Sequence, residues 1–72
     1  MFHVYIVRKD EKYIVRFINS VISSTGIKTS AVLAESKIPM TVEMAVDRGN
    51  AMIDAFINAG MNVEPALGLS EE

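Results

Sequence analysis

The one histidine of this 72-residue chain is His3, and there is no cysteine to join it. A zinc centre or a general base needs partners at reachable spacing, so His3 near the start of a strand-like segment reads as a surface or interface residue. Three carboxylates, Glu43, Asp47 and Asp54, recur at helical spacing. They would bind a cation only if they projected inward beside ligands from other elements. They lie opposite the apolar stripe of their segment, so they read as a solvated face that offers negative charge to a basic partner. Ser23, Ser24 and Thr25 carry hydroxyls with no base and read as turn residues. Gly26 stands alone, outside any phosphate-binding glycine pattern. With no nucleophile, cofactor loop or metal cluster, the sequence predicts a protein that is not an enzyme and needs neither cofactor nor metal.

Tyr5 and Arg16, with Tyr13, Arg8 and Lys12, suggest a second chemistry. An aromatic and basic sheet surface can stack single-stranded bases and neutralise phosphates. The neighbours Val7, Ile14 and Ile18 are too apolar for a wet groove, and they favour a dry contact between chains.

The elements that must position these residues are legible from periodicity. Residues 2–8 and 12–22 alternate and are rich in Val, Ile, Phe and Tyr, which predicts two strands. A tight turn at Lys9-Asp10-Glu11-Lys12 sets Ile6 opposite Val15, Val4 opposite Phe17 and Val7 opposite Ile14. Without a glycine, that turn departs from the usual primed two-residue type, and a type I turn with a bulge is the alternative. Ser23-Ser24-Thr25-Gly26 marks the next turn, and a third strand is expected near 27–35. Thr41 is a credible N-cap, Glu43 suits the first turn, and Val42, Ala45, Val46, Gly49, Met52, Ile53 and Phe56 predict a helix from about 42 to 59. Gly49 in the apolar stripe costs about 1 kcal/mol against alanine, which implies close approach of the helix backbone to the sheet. Met52 reads as core, and Met44 sits on a small-residue flank with Arg48, Ala51 and Ala55. Gly60 is placed to stop the helix. Val63, Leu67 and Leu69 suggest a last strand that Pro65 confines to an edge, with residues 70–72 as a disordered tail beyond a single domain spanning 1–69.

The resulting class is α+β, a three- to four-stranded mainly antiparallel sheet in the order β-β-β-α-β with one helix on one face. Its first two strands are apolar on both faces, where an antiparallel sheet with one wet face would alternate. One helix covers only one of them. Tyr5, Val7, Ile14, Arg16 and Ile18 are therefore expected to meet a second copy, giving a homodimer or larger species. So short a chain gains from such burial.

The net charge of −2 hides an asymmetry. Residues 1–37 sum to +3 and residues 38–72 to −5, which can steer partners but is far from the charge of a dedicated nucleic-acid binder. No apolar run approaches membrane-spanning length, and Arg8, Lys9, Asp10 and Glu11 come too early for a signal-peptide core. The expected location is cytoplasmic, without membrane contact.

Two resemblances follow from this layout. Ala34-Glu35-Ser36, Thr41-Val42-Glu43-Met44-Ala45 and Ala59-Gly60-Met61-Asn62-Val63 resemble a strand–helix–strand module of small phage proteins that disable host enzymes. The hairpin, Thr41-x-Glu43-x-Ala45 and the segment from Gly60 to Pro65 are similar to HicB-like antitoxin domains, although this chain lacks their Pro-Gly turn and the Gly-Asp pair before the helix threonine. Both resemblances imply a small acidic protein that acts by occupying another macromolecule. The expectation is thus a non-enzymatic binding protein that self-associates and inhibits or neutralises a protein partner, a basic one where the acidic stripe faces it. The alternatives are a sheet-surface binder of single-stranded nucleic acid and a purely structural oligomer unit.

Overall fold

Two residues, Asp10 and Glu11, turn the chain between β1 (Phe2–Lys9) and β2 (Lys12–Ile22). Asp10 takes a positive φ of 57°, a conformation that Asp tolerates better than most side chains. This replaces the missing glycine, so no bulge is needed at the hairpin. Val4 pairs with Phe17, Ile6 with Val15 and Val7 with Ile14, in the register expected from the sequence. The structure, a computed structural model, describes residues 1–71.

After the turn at Gly26, β3 (Lys28–Glu35) runs antiparallel to β2. The register shifts between Phe17 and Ile18, whose partners are Ala34 and Val32, so Leu33 is the extra residue of a bulge. The chain then passes through residues 36–41 to the helix α1 (Val42–Asn58). Thr41 caps it, its hydroxyl accepting from the Met44 N–H at 3.3 Å. At the other end the Gly60 N–H donates to the Ile57 carbonyl and the Met61 N–H to the Phe56 carbonyl, both at 3.0 Å. Gly60 has φ 80°. That paired arrangement is the left-handed stop expected of a glycine after a helix.

The return segment runs parallel to β1 and completes an α+β fold with sheet order β3-β2-β1-β4. It pairs twice. Val63 bridges Phe2, and β4 (Gly68–Glu71) pairs Tyr5 with Gly68 through to Arg8 with Glu71. Pro65, lacking an N–H, sits in the gap between the two. Ser70 and Glu71 belong to this strand, not to a disordered tail, because β1 offers them an open edge. Glu72 lies outside the described residues.

The core lies between α1 and one sheet face. Val4, Ile6, Val15, Met40, Ala45, Ile53 and Val63 are buried together, with Phe2, Tyr13, Phe17, Met52, Phe56 and Leu67 packed around them. Full burial of a Val or Ile side chain contributes roughly 1.5–3 kcal/mol. Phe2 stacks on Phe17 at 5.4 Å between centroids, and Phe17 meets Phe56 at 4.6 Å, which ties both strands to the helix. Gly49 is buried as expected, but the close neighbour is Leu67 of the return segment and not a strand: a Cβ on Gly49 would lie 2.7 Å from Leu67 Cδ1. Among the described residues no helix is long and apolar enough to cross a membrane.

Gly49→Leu is expected to lower unfolding free energy by about 1–3 kcal/mol in chemical denaturation, through overpacking against Leu67. Leu67→Ala in the same background is expected to recover a substantial part of that loss.

Candidate interaction surfaces

Strand alternation sends Tyr5 and Val7 from β1, and Ile14, Arg16 and Ile18 from β2, to the face away from α1. All five residues expected to self-associate therefore share one surface. They are not equally available on it. Val7 is 1% exposed, Ile14 5% and Ile18 9%, within the single chain. The longer side chains on this face are held by contacts of their own. His3 and Tyr5 lie with their rings nearly parallel, 7° apart at 6.0 Å between centroids. Arg16 Nε donates to Glu35 Oε2 at 2.6 Å, closing the ion pair across to β3.

Tyr5 is held from the other side as well. The edge of its ring lies against Gly68, where any Cβ would fall 1.9 Å from Tyr5 Cδ1 and 2.0 Å from Cε1. Sequence reasoning missed this, because it requires knowing that β4 lands beside β1. Gly68 is thus the residue that lets an aromatic side chain lie down across the edge strand.

The exposed apolar surface lies farther out. All eight residues of β3 are exposed, with Val32 at 55% and Leu33 at 51%. Ile22 and Ile27 are exposed near the turn, and Val21 is exposed on the opposite face of β2. Val32 pairs with Ile18, so it extends the outer face, and the far edge of β3 has no neighbouring strand in the sheet.

On the helix, Glu43, Asp47 and Asp54 are exposed, and none forms an ion pair among the described residues. Those residues contain no group of three His, Asp or Glu side chains arranged to hold a metal ion. The aromatic and basic residues considered for nucleic acid do not converge. Tyr5 and Arg16 are on the outer face, whereas Tyr13 packs against the helix-side core and lines a hollow with Arg8, Ile6 and Val42.

No known protein family, curated protein or solved structure matches this chain. The two resemblances therefore rest on pattern, and the surfaces carry the functional argument.

Gly68→Ala is expected to displace Tyr5 or detach β4 and to lower the thermal midpoint by several degrees, for a loss of about 1–3 kcal/mol. In a Tyr5→Ala background the same change is expected to cost much less. Equal costs in the two backgrounds would show that the ring contact is not the reason for the glycine.

Proposed function

We propose that this chain is a non-enzymatic binding protein that pairs with a second copy through the β3 side of its sheet and acts by occupying a macromolecular partner. The observation that carries the reading is β3 itself: an edge strand exposed along its whole length and apolar at Val32 and Leu33. Edge strands of this kind are templates for pairing unless charge, proline or a bulge blunts them. The bulge at Leu33 leaves Lys28–Val32 regular. Two copies related by a two-fold axis perpendicular to the sheet must pair residues that share a face. A pairing centred on Ser30 satisfies this, with Lys28 opposite Val32 of the second copy and Thr29 opposite Ala31. The contact would cover Ile22 and Ile27 nearby and join the outer faces of the two sheets, Tyr5, Val7, Ile14, Arg16 and Ile18 included. An isologous dimer of this form is the commonest oligomer symmetry.

The exposed carboxylates Glu43, Asp47 and Asp54 remain free on the helix in such a dimer and supply a surface for a basic partner. The inhibitor-like and antitoxin-like resemblances agree with that arrangement.

Light scattering over a dilution series is expected to give twice the 7.9 kDa chain mass. Val32→Lys, which puts charge on the edge without touching the core, is expected to give a monomer with an unchanged circular dichroism spectrum. A wild-type monomer at all concentrations would overturn the pairing. Asp47→Lys with Asp54→Lys is expected to leave the thermal midpoint nearly unchanged and to reduce capture of basic partners by the immobilised chain. Undiminished capture would remove the helix stripe from the reading.

A further inference from the structure

The segment between β3 and α1 is an arch with two fixed feet. At the first, the Ser36 N–H donates to the Val15 carbonyl and the Val15 N–H donates to Ser36 Oγ, both at 2.9 Å. At the second, Tyr13 and Met40 exchange both backbone hydrogen bonds, at 2.9 and 2.8 Å. Lys37, Ile38 and Pro39 span the gap. The most exposed large apolar side chain among the described residues is on this span: Ile38, at 77%. Proline and the two clamps remove the freedom that would let Ile38 fold back.

Beneath the arch, beside the first turns of α1, lies a groove of about 500 Å³. Its apolar surface comes from Ile38, Pro39, Met40 and Met44. Its cations, Lys12, Lys37 and Arg48, come from three separate elements, and none has an acidic partner among the described residues. The groove does not stop there. Ser36 and Arg48 also line a smaller hollow of about 200 Å³ that continues past Met52 toward Ala34 and Glu35. The acid at that far end, Glu35, is already neutralised by Arg16.

We propose that this groove is a docking site for an acidic peptide segment with an apolar anchor. Three unpaired cations on a chain of net charge −2 create a local positive field that selects negative charge. Met44, 53% exposed, can adapt to an apolar side chain seated beside Ile38 and Pro39. The elongated, two-part form suits a peptide lying along the helix flank better than a compact ligand, which would need an enclosing pocket. The pre-set arch limits the ordering cost of binding. The groove reaches β3 only at Ala34 and Glu35, beyond the Lys28–Val32 segment proposed to pair, so it stands or falls independently of pairing between copies.

The test is to pan a random peptide library against the immobilised full chain and to measure the enriched peptides by fluorescence anisotropy at low and high salt. The expected winners carry acidic residues around a leucine, phenylalanine, tryptophan or methionine, and lose affinity as salt rises. Lys37→Glu with Arg48→Glu is expected to weaken them at least about tenfold, equivalent to about 1.4 kcal/mol, and Ile38→Ser alone is expected to weaken them several-fold. All three side chains are exposed, so circular dichroism and light scattering should stay as in the wild type. Failure to enrich any peptide, enrichment of neutral or basic peptides, or binding indifferent to these substitutions would each overturn the proposal. An oligothymidylate that binds more tightly than the peptides, and is lost in the same variants, would overturn it in favour of a nucleic-acid groove.

Discussion

Everything in this fold depends on the register between β1 and β2. A strand has a side-chain period of two, so a slip of one residue would exchange its faces. The observed register sends Val4, Ile6, Val15 and Phe17 to the helix and Tyr5, Val7, Ile14, Arg16 and Ile18 away from it. Both sets are largely apolar, so hydrophobic burial alone discriminates between registers less sharply than in a sheet with one polar face. The two-residue turn at Asp10 and Glu11 supplies the missing specification, and the positive φ at Asp10 is its local cost. Aromatic fit then reinforces it, because only in this register does Phe17 stand between Phe2 and Phe56.

The hairpin register, the third strand, the Thr41 cap and the Gly60 stop were all legible in the sequence, because each is encoded within a few residues by periodicity or by a backbone requirement. The expected helix, about 42 to 59, differs from the observed one by a single residue. What escaped was long-range. Nothing near Gly49 announces Leu67, and nothing near Gly68 announces Tyr5; both glycines make room for a side chain distant in sequence. The bulge at Leu33 was hidden because the run Ala31 to Ala34 carries little face information. Ser70 and Glu71 look like a tail by composition, yet β1 has a vacant edge and parallel pairing fills it. Of the candidate surfaces, the shared face of Tyr5, Val7, Ile14, Arg16 and Ile18 followed from alternation. The low exposure of its three aliphatic side chains within the single chain did not, since alternation assigns a face but not how far it is covered.

Charge is distributed more finely than the two-halves reading of the sequence implies. The helix carries exposed carboxylates, but Arg48 on the same helix joins Lys12 and Lys37 around the arch. Opposite potentials thus occur within one small domain, on surfaces set by different elements. On the outer sheet face Arg16 and Glu35 neutralise each other.

The placement of β4 has a kinetic meaning. β1 is the first strand in the chain and one of the sheet's two inner strands, and its second neighbour is the last strand, so the pairing of Tyr5 with Gly68 closes the largest loop in the sheet. Such closure is entropically the most demanding step and rewards only four residues of ladder. β4 is therefore the natural site of partial opening in the native state. An opened molecule would expose the edge of β1 in place of that of β4, while the edge of β3 stays exposed. The hold of Tyr5 on Gly68 thus decides which strand edge solvent meets on that side of the sheet, the four-residue edge of β4 or the eight-residue edge of β1.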